Sequence, residues 1–414
     1  MKYIIGFFLV FSSFLRAEIL IPMDNTQTNH LKAYGVAFES LKQQFVGRWL
    51  LNYRGGSYLF PSSPVIVGLC NLRGVRYEEI GSEEVNMIMS EIEESNMDIA
   101  VLEKEPKIAV YTPSNKQPWD DAVTMVLTYA EIEYETVFDE EVLEGKLDEY
   151  DWLHLHHEDF TGQYGKFYAS FRNKQWYIDE VKTNETLARK LGYSKVWEMK
   201  HAVAEKIRDY VIKGGFLFAM CAATDTYDIA LATGNTDICH AVFDYDGIDP
   251  DWADKMDFSR TFAFENFTLK TNPTEYEFSS IDASNYAKLR GAEADYFVLF
   301  DFSAKYDPVP TMLNQNHTEI INGFLGQTTS FHKEFVKKSV IILGETPESD
   351  EVKYLHGNIG KGTFTFYGGH DPEDYQHKIG DPETVLDLHK NSPGYRLILN
   401  NVLFPAAEKK KLKT

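Results

Sequence analysis

Residues 214–228, GGFLFAMCAATDTYD, place a buried strand, an abrupt turn and a helix in immediate succession. The run 216–220 is apolar throughout and follows two glycines, which is typical of a fully buried strand in a parallel sheet. The residues after Cys221 have the composition of a helix, so we expect this cysteine at the turn between the two elements. Ligands bind at the carboxyl ends of strands in open α/β folds. Cys221 is therefore a candidate site residue, and a small cysteine packed as a hydrophobic side chain is the alternative.

Strands and helices alternate around this stretch. Apolar strand patterns at 108–111, 134–138, 152–157 and 216–220 are separated by helical patterns, the first of which is opened by Pro118. This alternation predicts an α/β fold with a doubly wound, flavodoxin-like and mainly parallel sheet. Right-handed crossovers bring the carboxyl ends of all the parallel strands to one edge of such a sheet.

Composition shifts and pattern changes divide the chain into parts. We expect a signal peptide at 1–17, a small N-terminal α/β domain at 18–104, a main domain at 105–405 with an insertion at about 234–335, and a basic tail at 406–414. The N-terminal domain opens with a β-α-β pattern. The insertion is rich in aromatic residues and has few helical periods, so short strands and loops are expected there.

The N-terminus has the pattern of an export signal. Lys2 precedes the apolar run 3–15, and Arg16-Ala17-Glu18 follows it. The run is too short to span a bilayer and has the length of the apolar region of a signal peptide. A buried first strand or helix is the alternative. We expect an exported protein, periplasmic or extracellular, with no integral membrane segment after the signal.

Charge and cysteine content restrict the partners and the redox chemistry. The net charge of −22 over 414 residues argues against a nucleic-acid surface, which needs basic patches. The cysteines are Cys70, Cys221 and Cys239, too few for a disulfide framework, so at least one thiol is free. The expected partner is a small molecule, glycan or peptide whose identity the sequence leaves open.

Cys221 and His370 each follow an apolar strand pattern, so both are expected at the same edge of the sheet. A nucleophilic thiol needs a base within hydrogen-bond reach and a third group that orients the base. His370 supplies the base, and Asp371 and Glu373 are the candidate orienting acids. This set predicts a hydrolase of amide or related bonds that needs no cofactor. A ligand-binding protein without catalytic activity is the alternative.

A cysteine at a strand-to-helix turn, followed late in the chain by a histidine and a nearby acid, resembles the class I glutamine amidotransferase-like fold. The resemblance covers roughly residues 107–405 and implies Cys221 as nucleophile, His370 as its histidine, and Glu373 or Asp371 as the acid. The family's G-x-C-x-G motif corresponds here to A-M-C-A-A, and its H-x-E motif is one residue longer. The glycine-bearing oxyanion loop of the family is replaced by the sequence HHED at 156–159. The resemblance therefore implies the fold more strongly than it implies glutamine hydrolysis.

The whole chain, including the N-terminal sequences ILIPMDNTQTNHLKAYGVAF and LLNYRGGS, resembles an exported bacterial family that often carries the label asparagine synthetase B. Asparagine synthetases have a cysteine directly after Met1 and an S-G-G-x-D-S loop that binds pyrophosphate. This chain has Lys2 and lacks that loop. We therefore expect no asparagine synthetase activity.

A histidine-rich segment, HLHHED at 154–159, ends the third strand of the main domain. In a strand His154 and His156 share one face, and His157 lies on the other. Together with Glu158 they offer imidazole and carboxylate ligands, which suit zinc or another divalent metal. The pair 239–240, Cys-His, could contribute a further ligand. A polar strand end whose histidines are satisfied by hydrogen bonds is the alternative.

Overall fold

The computed structural model describes residues 17–115, 117–307, 316–376 and 378–407. Its strands are β1 (Glu18–Ile21), β2 (Gly47–Leu51), β3 (Ser57–Pro61), β4 (Glu78–Ile80), β5 (Asp98–Leu102), β6 (Ile108–Tyr111), β7 (Glu135–Val137), β8 (Trp152–Leu155), β9 (Phe216–Met220), β10 (Tyr296–Leu299), β11 (Ile320–Asn322), β12 (Phe331–His332), β13 (Ile341–Glu345), β14 (Glu351–Ile359) and β15 (Gly362–Tyr367). Its helices are α1 (His30–Lys42), α2 (Pro64–Arg73), α3 (Ser82–Glu94), α4 (Ala122–Ala130), α5 (Asp139–Leu143), α6 (Tyr168–Phe171), α7 (Gln175–Lys190), α8 (Val196–Lys213), α9 (Ala222–Thr233), α10 (Ala241–Asp244), α11 (Ser284–Arg290) and α12 (Pro393–Leu403).

The N-terminal region forms an antiparallel sheet with the strand order β4-β1-β3-β2-β5. β1 and β2 both pair antiparallel with β3, so they run parallel to each other with β3 between them. Alternate residues of β1 face opposite sides of the sheet. Ile19 and Ile21 pack in the core that contains α1, whereas Leu20 packs with residues of α3. Helices therefore cover both faces of this small sheet.

The second sheet has the strand order β11-β10-β13-β14-β15-β9-β8-β6-β7, and β12 pairs with β14 beside this path. The five strands β15, β9, β8, β6 and β7 pair in parallel. The remaining strands pair antiparallel. The predicted α/β fold is confirmed at this general level, and the sheet is mixed.

Helix α1 packs against α4 and α12, which lie on the second sheet. One continuous apolar core consequently runs from Trp49 and Phe60 of the N-terminal sheet to Leu217 and Phe366 of the second sheet. The predicted boundary between residues 104 and 105 falls between the two sheets, but their cores are shared. The predicted signal peptide, apart from Ala17, lies outside the described residues, as does the predicted basic tail from residue 408 onward. In the described part of the chain, no helix is both long and apolar enough to cross a bilayer.

Two boundaries differ from the sequence predictions in ways that affect the site. The helix predicted to start at Pro118 begins at Ala122, because Asp121 caps its N-terminus by accepting hydrogen bonds from the N–H groups of Val123 and Thr124. Residues 117–121 therefore form a loop. Strand β8 ends at Leu155, so the histidines that follow it also lie in a loop. Both loops extend from the carboxyl-terminal edge of the parallel strands.

Candidate active site

Cys221 lies at the turn between β9 and α9 and has φ 52° and ψ −136°. A positive φ is uncommon for a residue other than glycine, and such strain clusters at functional sites. The turn is fixed by hydrogen bonds: Ala223 N–H donates to the carbonyl of His156 (3.0 Å), and Thr224 Oγ1 donates to the carbonyl of Cys221 (2.6 Å). Ala222 is the first residue of the helix, where a backbone N–H has no acceptor within the helix. Its N–H is therefore available beside the thiol.

The loop 324–330 packs over Cys221. The backbone N–H of Gln327 donates a hydrogen bond to Cys221 Sγ at 3.3 Å. Gly326 lies so close to the turn at Gly369 that an added Cβ would be 2.9 Å from its backbone. The buried ammonium of Lys353 donates to the carbonyls of Phe324 (2.6 Å) and Thr329 (3.0 Å) at the two ends of the loop. The loop is thus held in contact with both the cysteine and the segment that carries His370.

His370 lies beside Cys221 and is 6% exposed. Its Nε2 is 3.4 Å from Oδ1 of Asp120. Burial alone would lower the pKa of His370, but side-chain hydrogen bonds to Asp120 and Cys221 outweigh it and raise that pKa to about 9. The three side chains therefore form a connected acid–histidine–thiol arrangement.

Sequence analysis predicted two members of this arrangement and missed the third. Asp120 was placed inside a helix, whereas the structure has it in the loop before the Asp121 cap. The predicted acids have other partners. Asp371 accepts hydrogen bonds from Thr384 Oγ1 (2.7 Å) and from the N–H of Glu373 (2.9 Å), and Glu373 is paired with His389 at 2.8 Å. The sequence feature that could have indicated Asp120 as a site residue is the acidic pair Asp120-Asp121 immediately before α4.

Two overlapping groups of side chains could hold a metal ion. The ligand atoms of His156, His157 and His370 lie within 4.8 Å of one another, and so do those of Asp121, His154 and His156. The rings of His156 and His157 stack with centroids 3.8 Å apart. Asp121 Oδ2 is 3.2 Å from both His154 Nε2 and His156 Nδ1. Each group thus contains two of the four predicted metal ligands, and His156 belongs to both groups.

Burial keeps His156 and His157 in the neutral form that binds metals. It lowers the pKa of His156 to about 4 and that of His157 well below its usual range. His157 Nε2 donates to the carbonyl of Asp120 at 2.8 Å, which leaves its Nδ1 as the acceptor nitrogen. His156 is 1% exposed, and its Nε2 has no hydrogen-bond partner among the described residues.

The other predicted ligands are outside these groups. Glu158 lines a separate small cavity of about 40 Å³ together with Glu180, and burial raises the pKa of Glu158 to about 8. Cys239 Sγ donates to the carbonyl of Thr161 at 3.2 Å, and His240 caps α10. The 239–240 pair is not part of either histidine group.

A pocket of about 370 Å³ opens beside Cys221 and His370. This volume is within the range of small-molecule sites. Its wall includes three aromatic side chains and several polar ones: Trp119, Phe167, Tyr276, Lys288, Gln327, Gln376 and Lys378. The thiol and the imidazole are consequently accessible to a ligand of moderate size.

No protein-family model matches the chain, and no curated protein matches it. Among solved structures, two cytoplasmic proteins of Salmonella typhimurium match with TM-scores of 0.34 and 0.32 at 9% and 12% sequence identity. Each match covers 73% of this chain and 100% of the other. A beta-galactosidase from Bacillus circulans sp. alkalophilus matches with a TM-score of 0.26 at 11% identity, over 70% of this chain and 32% of its own. These scores are too low to assign a fold family.

Proposed function

We propose that this chain is a class I glutamine amidotransferase-like protein that hydrolyses amide or related bonds with a cysteine nucleophile. Cys221 is the nucleophile, His370 the base and acid, and Asp120 the group that orients His370. The observation that carries the proposal is the hydrogen-bonded connection from Asp120 through His370 to a cysteine held at a strained strand-to-helix turn. No cofactor is needed for these roles.

The order of the parallel strands supports the fold part of the proposal. Counted along the chain, β7-β6-β8-β9-β15 is the order 2-1-3-4-5, which flavodoxin-like sheets share. Cys221 follows the fourth of these strands and His370 follows the fifth. Neighbouring parallel strands bring their carboxyl ends together, so the topology itself accounts for the meeting of the two residues.

The reaction follows from the positions of these groups. The Cys221 thiolate attacks the amide carbonyl carbon, and protonated His370 gives its proton to the departing amine. A thioester with Cys221 remains. Neutral His370 then takes a proton from water, and the resulting hydroxide attacks the thioester. The C–S bond breaks, the carboxylic acid leaves, and the Cys221 thiolate and protonated His370 are restored. The N–H groups of Ala222 and Gln327 lie beside the sulfur and are the candidate donors to the developing oxyanion.

Timed alkylation with iodoacetamide near pH 7, followed by peptide mapping, tests the nucleophile. We expect Cys221 to react much faster than Cys70 or Cys239, because burial raises the pKa of Cys70 to about 12 and that of Cys239 well above its usual range. His370→Ala should slow the reaction of Cys221. His389→Ala is the matched control and should not slow it. A Cys221 that reacts no faster than the other two thiols would contradict the proposal.

A second candidate function is the binding of a divalent transition metal such as zinc. The specific observation in its favour is buried His156, whose unpartnered Nε2 belongs to a histidine shared by both ligand groups. Purified protein should then contain nearly one equivalent of metal, and a His154→Ala, His156→Ala double variant should lose it. His332→Ala, at the protein surface, is the control. Wild-type protein that takes up no zinc would rule this function out.

A further inference from the structure

The pocket beside Cys221 differs in charge from the rest of the molecule. The chain has 63 acidic and 41 basic side chains. The described residues that line the pocket nevertheless include Lys288 and Lys378 and no carboxylate. A positively charged pocket in an acidic protein favours an anionic ligand, because unlike charges attract and the surrounding acidic surface repels anions elsewhere.

The two lysines come from separate elements. Lys288 lies on α11, and Lys378 lies in the segment that follows His370. Both are exposed, and the structure shows neither side-chain ammonium in an ion pair within the described residues. The backbone N–H of Lys378 is held by Asp381 Oδ2 at 2.9 Å, which fixes the start of the side chain. Their ammonium groups are therefore free to pair with a ligand carboxylate.

Another part of the wall is aromatic. The ring centroids of Trp119 and Phe167 are 5.5 Å apart, and those of Phe167 and Tyr276 are 6.0 Å apart. Tyr276 is 41% exposed, so part of this aromatic surface is open to the pocket. Aromatic side chains of this kind bind rings and apolar groups. The wall provides contact area well beyond what a two- or three-carbon side chain needs.

We propose that the substrate of this site is an anionic amide whose carboxylate pairs with Lys288 and Lys378 and whose ring or apolar part contacts Trp119, Phe167 and Tyr276. This inference rests on the proposed function, since it assumes that the substrate carbonyl lies at Cys221. A free α-ammonium group would find no carboxylate among the described residues that line the pocket. Zwitterionic glutamine is therefore a poorer match than an amide that carries only negative charge.

Competition between two alkylating agents of similar size tests the charge preference. Iodoacetate is anionic and iodoacetamide is neutral, and each forms an S–C bond with Cys221 as iodide leaves. We expect the ratio of the iodoacetate rate to the iodoacetamide rate to be higher for Cys221 than for N-acetylcysteine amide, a reference thiol without a carboxylate, under the same conditions. Each of Lys288→Gln and Lys378→Gln should lower that ratio about two- to threefold, the order of magnitude for loss of one exposed positive charge from a pocket wall in water. Lys361→Gln, outside the pocket, is the control.

The outcomes separate this inference from the proposed function. Raising the salt concentration should also lower the ratio for the wild-type protein. This measurement does not depend on the folding of any variant. If iodoacetamide labels Cys221 rapidly but the ratio equals that of N-acetylcysteine amide and is unchanged in the lysine variants, the proposed anionic substrate is wrong and Cys221 remains the proposed nucleophile. If neither reagent labels Cys221 faster than Cys70 or Cys239, the proposed function itself is wrong and the inference is lost with it.

Discussion

At the scale of single residues, the position of Asp120 determines how His370 can work. A neutral buried histidine would have a depressed pKa, as His156 does a few ångströms away. The pKa of His370 is raised instead, because a carboxylate and a thiol contact its ring.

Cys221 and His370 could be predicted from the ends of two apolar strands. Asp120 could not be predicted in the same way, because its position depends on the residue at which α4 begins. That residue is determined by the side chain of Asp121, which caps the helix.

We expect Asp120→Asn to lower the pKa of His370 from about 9, because the variant removes the carboxylate and leaves burial to act on the imidazole. A group with a raised folded-state pKa stabilises the protein fully below its ordinary value of 6.5 and loses that contribution as pH rises to about 9. The variant should therefore be destabilised more at pH 6 than at pH 9. NMR titration of the imidazole and urea unfolding at both pH values measure these effects. Asp371→Asn is the control, and an unchanged His370 pKa would refute the role of Asp120.

At the scale of elements, the start of α4 and the end of β8 are joined through one side chain. Asp121 Oδ1 caps the helix by accepting the N–H groups of Val123 and Thr124. Its Oδ2 contacts His154 and His156. Although burial opposes ionisation, these histidines lower the pKa of Asp121 well below its usual range. One carboxylate thus fixes the loop that carries Asp120 relative to the strand that carries the histidines.

Two substitutions separate the roles of Asp121. Asp121→Asn keeps a good N-cap residue and removes the charge, whereas Asp121→Ala removes both. We expect the alanine variant to lose about 1 kcal/mol more unfolding free energy than the asparagine variant, the usual cost of a lost cap. Urea unfolding at pH 7 measures the difference. Equal losses would show that the cap contributes nothing and that the histidine contacts account for the whole effect.

The sequence patterns predicted the parallel strands better than the antiparallel ones. Strand β9 has the predicted bounds, because its apolar pattern is uninterrupted. Strand β14 was missed. It buries Lys353 and His356, so polar residues interrupt its apolar pattern, and its pairing with β13 is irregular. Whether such a segment forms a strand depends on its pairing with residues distant in sequence. A short stretch of sequence read by itself contains no signal for that pairing.

At the scale of the whole molecule, the N-terminal sheet and the second sheet are linked by a buried side chain of α12. Arg396 of α12 is fully buried and bonds to groups on the N-terminal side: its Nε donates to Tyr34 OH and its Nη1 to the carbonyl of Met23, both at 2.9 Å. It also donates to the carbonyl of Gly55. These contacts, with the shared apolar core, join regions that sequence analysis treated as separate domains.

We expect Arg396→Ala to lower the unfolding free energy by about 3 kcal/mol, because several buried acceptors lose a charged donor at once. Arg48→Ala, which removes a partly exposed pair with Glu18, is the matched control and should cost less than about 1 kcal/mol.

In both variants and in the wild type, unfolding followed by fluorescence should give a single transition that coincides with the one followed by circular dichroism. Trp49 reports on the N-terminal sheet and Trp152 on the second sheet. Because the chain has six tryptophans, the signal of each of these two is obtained as the difference between the wild-type fluorescence and that of a Trp49→Phe or Trp152→Phe variant. Two separate transitions would show that residues 18–104 fold independently, as the sequence patterns alone suggest.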